Sequence, residues 1–199
     1  MSVEGTSVMT PANQGTVPAG REGHPGRVLV DQARLRNRVF ELGEEISHDY
    51  QDRDLLLLGV LKGAIFFIAD LMRAIRVPVT FDFISISRYQ RGSGSSGEVR
   101  ILKDLEIGVE GRDLLLVEDI VDTGLTLNYL LRTLRNRKPA SIEVCTLLDR
   151  PYLRLVPTAI RYVGFTIPNE YVVGYGLDFQ ERFRQLSDIC LMPPPEPER

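Results

Sequence analysis

The densest chemistry in the chain lies in Glu118-Asp119-Ile120-Val121-Asp122-Thr123-Gly124-Leu125-Thr126, directly after the aliphatic run Leu114-Leu115-Leu116-Val117. Such a run reads as a buried strand, and a compact segment with one Gly and two Thr reads as a loop that opens a helix. Backbone N–H groups left free at a helix start, joined by Thr hydroxyls, cradle a phosphate. Two adjacent carboxylates hold sugar hydroxyls, or a Mg²⁺ ion with its waters. The plainer alternative is an Asp N-cap with Thr at a helix start, a common furnishing of strand–helix units. Leu61-Lys62-Gly63-Ala64 closes an earlier apolar run. A Lys on a Gly-containing loop brings backbone N–H groups and one charge against an anion, unless it is a solvated surface lysine.

Rival chemistries find little to build on. No G-x-x-x-x-G-K-[ST] occurs, and no G-x-G-x-x-G follows a strand, so the two common strand–loop–helix nucleotide motifs are missing. With two histidines, a His-based metal site or a Ser–His–Asp triad is poorly supplied. Cys145 and Cys190 have no metal-ligand spacing, and Cys145, in an apolar run, reads as a small buried hydrophobe. A net charge of −3 speaks against broad nucleic-acid binding, which needs many Lys and Arg. The apolar runs are shorter than a membrane span and the N-terminus shows no signal-peptide core. The expected location is the cytoplasm.

The elements that must position these groups follow from patterning. Hydrophobic residues make up 43% of the 199, enough for one domain with a real core. Residues 1–27, rich in Gly, Pro, Ser and Thr, read as a disordered tail, and 193–199, with its Pro cluster, as another. Between them, 28–192 reads as a single domain. A short strand at 28–30 leads to Asp31 as N-cap, and Leu35, Val39, Leu42 and Ile46 recur at helical spacing through about residue 49. Strands are expected at 55–60, 79–87, 98–104, 113–117, 141–148, 161–165 and 171–174. Helices are expected at 64–75 and 125–137, with a loop beginning at Asp119. The segment 91–97 holds three Gly and three Ser, the composition of a long hairpin tip. Buried strands alternating with helices predict an α/β domain with a mainly parallel sheet. Its ligands should sit beyond the C-terminal strand ends.

The complete string from Glu118 to Thr126 resembles the phosphoribosyl-pyrophosphate motif of the type I phosphoribosyltransferases. Other segments sharpen the resemblance to the hypoxanthine/guanine members: Leu61-Lys62-Gly63-Ala64, Ser95-Ser96-Gly97-Glu98-Val99-Arg100-Ile101-Leu102-Lys103-Asp104, Tyr162-Val163-Gly164-Phe165 and Tyr171-Val172-Val173-Gly174-Tyr175-Gly176-Leu177-Asp178. Together they span nearly the whole folded region. The resemblance implies a twisted, mainly parallel sheet flanked by helices, a small hood made by the terminal segments, and a flexible hairpin loop that closes over the site. It also implies Mg²⁺-dependent transfer of a 5-phosphoribosyl group from phosphoribosyl pyrophosphate to hypoxanthine or guanine, with a homodimer or homotetramer as the assembly and no nucleic-acid or membrane partner.

Residue by residue, the resemblance gives Asp122 the role of general acid/base at the purine. Glu118 and Asp119 would hold the ribose hydroxyls or a metal ion, and Asp122, Thr123, Gly124, Leu125 and Thr126 the 5′-phosphate. Lys62 and Gly63, joined to Leu61 by a peptide often held cis in the family, would bind pyrophosphate with Arg184. Tyr171 would stack on the purine and Val172 would offer backbone groups to its edge. Asp178 would serve both the purine and the Mg²⁺–pyrophosphate network. Two positions depart from the family pattern. Arg150 stands where a Lys commonly reads the purine 6-oxygen, which leaves a xanthine-preferring enzyme as an alternative. Arg88 stands where a Ser is commoner, and leaves open a pyrophosphate contact or a side chain facing water. A nucleotide-sensing regulator on the same fold is the remaining alternative, disfavoured by the acidic charge and by the presence of Lys62, Asp122, Asp178 and Arg184.

Overall fold

The computed structural model describes residues 25–89 and 98–192. Most of the expected N-terminal tail, the C-terminal tail, the hairpin tip at 91–97 and the two readings of Arg88 fall outside what is described. Strand β1 (Val28–Val30) leads into helix α1 (Gln32–Asp49), and β2 (Leu55–Leu61) into α2 (Ile65–Ala74). A hairpin of β3 (Val79–Tyr89) and β4 (Glu98–Lys103) precedes β5 (Asp113–Val121) and α3 (Leu125–Arg135). The chain ends with β6 (Ser141–Asp149), β7 (Tyr162–Thr166), β8 (Val172–Val173) and β9 (Ile189–Leu191).

Six strands form the main sheet in the order β4-β3-β2-β5-β6-β7. All neighbours run parallel except the antiparallel β3–β4 edge. The aliphatic runs are continuous because helices cover both faces. Leu55, Leu57, Leu115, Val117 and Cys145 point into a core shared with α1 and α2. Leu56, Leu58, Leu114, Leu116 and Val144 point to the opposite face, against α3. Leu55 to Leu58 have no exposure, and burying each Leu contributes about 1.5–3 kcal/mol. Cys145 is likewise fully buried and free, and burial pushes its thiol well above the usual range.

Helix α1 follows its periodicity: Asp31 accepts a bond from the Arg34 N–H at 2.9 Å, and Leu35, Val39, Leu42 and Ile46 are buried. The α1 stripe packs on α2 and the sheet face. A second, three-stranded sheet in the order β1-β9-β8 makes the hood. The sequence pattern did not signal its central strand, β9: three residues are too short to show a period. Pairing begins before the expected boundary, since the Gly26 N–H bonds the Leu191 carbonyl and the Leu191 N–H bonds that of Arg27.

One expected element differs near the site. Strand β5 does not end before Asp119; it continues to Val121, in register with β6 as far as Val121↔Asp149. The ladder persists because β6 is equally long and Val121 is buried. Glu118 and Asp119 therefore lie on strand backbone, and only Asp122 to Gly124 form the turn into α3.

Candidate active site

Three adjacent parallel strands, β2, β5 and β6, deliver the site's groups at their C-terminal ends. Beyond β2 the Leu61–Lys62 peptide is cis, as the resemblance implied. Gly63 follows, and its side-chain position is occupied: a Cβ there would lie 1.5 Å from Asp119 Oδ2. Gly176, at φ +102°, closes the other side, where a Cβ would sit 2.0 Å from the Gly63 carbonyl oxygen. The loop after β2 is thus clamped between the β5 carboxylate and the hood, and only glycine permits that approach.

Glu118 is buried. Asp119 is partly covered; burial pushes its carboxyl up to about 6. Bonds from the Ile120 N–H and its own N–H and the charge of Arg184 pull it down, and the charge of Asp122 adds to the rise. The turn into α3 is capped by Gly124 at φ 79°, ψ −7°, with no side-chain cap bond. A left-handed residue there costs glycine little. Asp122 does not cap the helix, while the Thr123 hydroxyl accepts the Leu125 N–H at 3.4 Å, so of the plainer reading only the Thr at the helix start remains.

Asp122 is engaged elsewhere. The Arg150 Nε–H donates to its Oδ1 at 2.5 Å and the NH2 group to its Oδ2 at 2.7 Å, a two-pronged pair, while Arg150 NH1 donates to the Glu170 carbonyl at 2.8 Å. Arg150 is largely covered, with its side chain 11% exposed against 29% for Asp122. On the hood side, Arg184 NH2 pairs with Asp178 Oδ1 at 2.8 Å, and its NH1 donates to the Gly176 carbonyl at 2.7 Å. The Tyr171 hydroxyl donates to the Asp178 carbonyl at 3.0 Å. Its ring stands edge-on to Phe179 and is half exposed.

A cleft of about 290 Å³ collects nine of the candidates: Lys62, Gly63, Glu118, Asp119, Asp122, Gly124, Thr126, Asp178 and Arg184. Val60, Ile86 and Leu127 contribute apolar wall. Thr123, Leu125, Arg150, Tyr171 and Val172 do not line it. Thr123 instead anchors the turn, its carbonyl accepting the Leu155 and Val156 N–H groups. Leu125 is exposed, and Val172 is buried within β8. Arg150 and Tyr171 border the cleft through Asp122 and Asp178. Sequence reasoning passed over Glu181, which bonds Lys62, and Arg154, which pairs with Asp149 and packs against Gly124. Neither had a signal in the sequence, since the partners Lys62 and Gly124 lie far along the chain.

Two cations, four carboxylates and a helix-start turn converge on one cleft at the carboxyl ends of parallel strands, the place where α/β proteins of this class bind their ligands. Residues 29–180 match the phosphoribosyl transferase domain family, and the chain belongs to that family. It is 50% identical over 198 residues to a hypoxanthine-guanine phosphoribosyltransferase of Mycobacterium avium, covering 95% of both chains. It is 47% identical over 168 residues to the enzyme of that name from Bacillus subtilis, covering 84% of this chain and 93% of the relative. Among solved structures, a hypoxanthine phosphoribosyltransferase from Staphylococcus aureus superposes with a TM-score of 0.82 at 41% identity, over 85% of this chain and 92% of the other.

Proposed function

We propose that this chain is a purine-salvage enzyme that moves the 5-phosphoribosyl group of phosphoribosyl pyrophosphate onto N9 of hypoxanthine or guanine, releasing pyrophosphate. The observation that carries the reading is the single cleft in which Lys62, Arg184, the β5 carboxylates and the turn into α3 converge, in a chain of this family. Asp122, Thr123, Gly124, Leu125 and Thr126 would hold the 5′-phosphate on backbone N–H groups and Thr hydroxyls. That remote binding energy orients the ribose for displacement. Negative charge grows on the departing pyrophosphate, where Lys62, the Gly63 N–H and Arg184 would stabilise it.

Asp122 would take the purine proton, at N7, as N9 becomes the nucleophile. Its carboxylate is oriented by the Arg150 fork, and each oxygen keeps a further lone pair for a proton. Arg150 has five N–H groups, of which three are used on Asp122 and Glu170. The remaining donors suit a 6-oxo acceptor and reject the 6-amino donor of adenine, since an unpaired buried donor is costly. Tyr171 would stack on the base, with Val172 at its edge and Asp178 between purine and pyrophosphate.

Mg²⁺ belongs to the proposal. Among the described residues no group of three or more His, Cys, Asp or Glu converges, so an ion here would take part of its shell from substrate and water. That fits Mg²⁺, which is held by one or two carboxylates plus phosphate oxygens. Glu118 and Asp119 on the ribose side and Asp178 on the pyrophosphate side supply suitable hard donors, and the bound ion would offset charge on the leaving group. The reading also includes a cytoplasmic location and self-association as a homodimer or homotetramer. Among the described residues no helix is long and apolar enough to cross a membrane. Phe40 and Phe66, both exposed, line a separate cleft of about 620 Å³, apolar surface that a second copy would cover.

The test follows pyrophosphate release with phosphoribosyl pyrophosphate, Mg²⁺ and a panel of purines. Turnover with hypoxanthine and guanine is expected. Silence with hypoxanthine, guanine and xanthine alike would refute phosphoribosyl transfer to 6-oxopurines. Efficient use of adenine would refute the role given to Arg150, and a marked preference for xanthine would favour the xanthine-preferring alternative.

A further inference from the structure

Lys62 and Arg184 reach the cleft from distant parts of the chain, yet both meet one carboxylate. Lys62 Nζ lies 2.8 Å from Glu181 Oε2, and Arg184 NH2 lies 3.1 Å from Glu181 Oε1. One oxygen for each cation is how a bridging phosphate would also bind. The placement of Glu181 is set by the backbone: Gln180 and Glu181 take φ of 52° and 62°. The Glu181 N–H is tied to Asp178 Oδ2 at 2.9 Å. We propose that Glu181 is an internal counter-anion, which neutralises the two pyrophosphate-binding cations and is displaced by the pyrophosphate group, so that it sets the affinity for that group. The proposal rests on the phosphoribosyl-transfer reading and deepens its pyrophosphate subsite.

The two halves of the arrangement differ in how firmly they are held. The Lys62 and Glu181 side chains are 66% and 64% exposed, so their pairing is screened by water and easily given up. The Arg184–Asp178 pair is more covered, at 22% and 29%, and the Gly176 carbonyl fixes the same guanidinium. Arg184 therefore stays oriented when Glu181 leaves. An incoming pyrophosphate carries several charges against the single one of Glu181, and wins the exchange by Coulomb attraction. Glu181 still competes, which weakens the hold on pyrophosphate and eases its release as product.

Titration calorimetry of the full chain with Mg²⁺ and pyrophosphate tests the idea. Glu181→Gln, close in shape but neutral, is expected to bind pyrophosphate about three- to tenfold more tightly, the scale of one or two exposed ion pairs. The gain should shrink at high salt. Glu181→Asp, which keeps the charge, is expected to remain nearer the wild type, and the KM for the purine should not move in either. Pyrophosphate binding unchanged or weakened in Glu181→Gln, at an unaltered melting temperature, would overturn the proposal. A structure of the wild-type chain with pyrophosphate gives a reading independent of any variant: Glu181 off both cations supports displacement, and Glu181 still bridging them refutes it. A wild-type chain that binds no pyrophosphate at all would instead remove the functional reading beneath it.

Discussion

Replacing Asp122 by Asn tests the reaction and the geometry together. The substitution keeps shape but turns one carboxylate oxygen into an NH2 group, which must face either the Nε–H or the NH2 of Arg150, bonded at 2.5 and 2.7 Å. One of the two charge-assisted bonds is lost, and the largely covered Arg150 loses its counter-charge. A hydrogen bond to a charged group contributes about 1.5–3 kcal/mol. Because Asp122 remains 29% exposed, we expect about 1–2 kcal/mol of destabilisation after screening, which a chain of this size survives. Turnover is a separate matter. If Asp122 accepts the purine proton, Asn cannot, and kcat should fall roughly 10²–10⁴-fold, equivalent to about 3–5 kcal/mol in the barrier. The assay is steady-state pyrophosphate release, with thermal melts alongside. Arg150→Met then separates proton transfer from orientation. It leaves the carboxylate in place but unheld, and should cost about tenfold in kcat while raising the KM for hypoxanthine. Turnover of the Asn variant within about threefold of wild type would remove Asp122 from the proton step, whatever its effect on stability.

Two further outcomes follow from the packing. Gly63→Ala places a Cβ 1.5 Å from Asp119 Oδ2, so the carboxylate must swing away; kcat/KM for phosphoribosyl pyrophosphate should fall about 10- to 100-fold, the scale of a 1 Å misplacement, with little change in melting temperature. Asp82, buried on β3, accepts the Glu106 and Ile107 N–H groups at 2.7 and 3.0 Å, and Asp82→Ala should cost about 2–4 kcal/mol in a urea melt by orphaning both. For the same residue, burial opposes the charge, but the Ile107, Phe83 and Glu106 N–H bonds, with Lys103, hold its carboxyl below the usual value. A depressed folded pKa stabilises the fold above the unfolded value near 4 and loses that contribution as pH falls through the folded one. The wild type should therefore lose stability below about pH 4 more steeply than Asp82→Ala, and parallel acid melts of the two would contradict this.

The sequence by itself determined whatever depends on neighbours along the chain. The aliphatic runs at 55–60 and 113–117 read as buried strands because burial on both sheet faces leaves no polar alternation. The stripe of α1 and its Asp31 cap were legible for the same local reason. So was the Glu118–Thr126 string, whose functional groups sit within one strand end and one turn. The tertiary structure alone decided how distant segments divide those groups. The β5 ladder runs past Asp119 because β6, some thirty residues on, is there to pair with it. The clamp of Asp119 on Gly63, the Arg150 fork on Asp122 and the Lys62–Glu181 pair join residues between 28 and 119 positions apart. Residue types and spacing carry no record of such contacts, since each depends on where separate strands and the hood come to rest. The sequence named the groups that could act on a phosphoribosyl substrate, and the fold decided which of them hold one another.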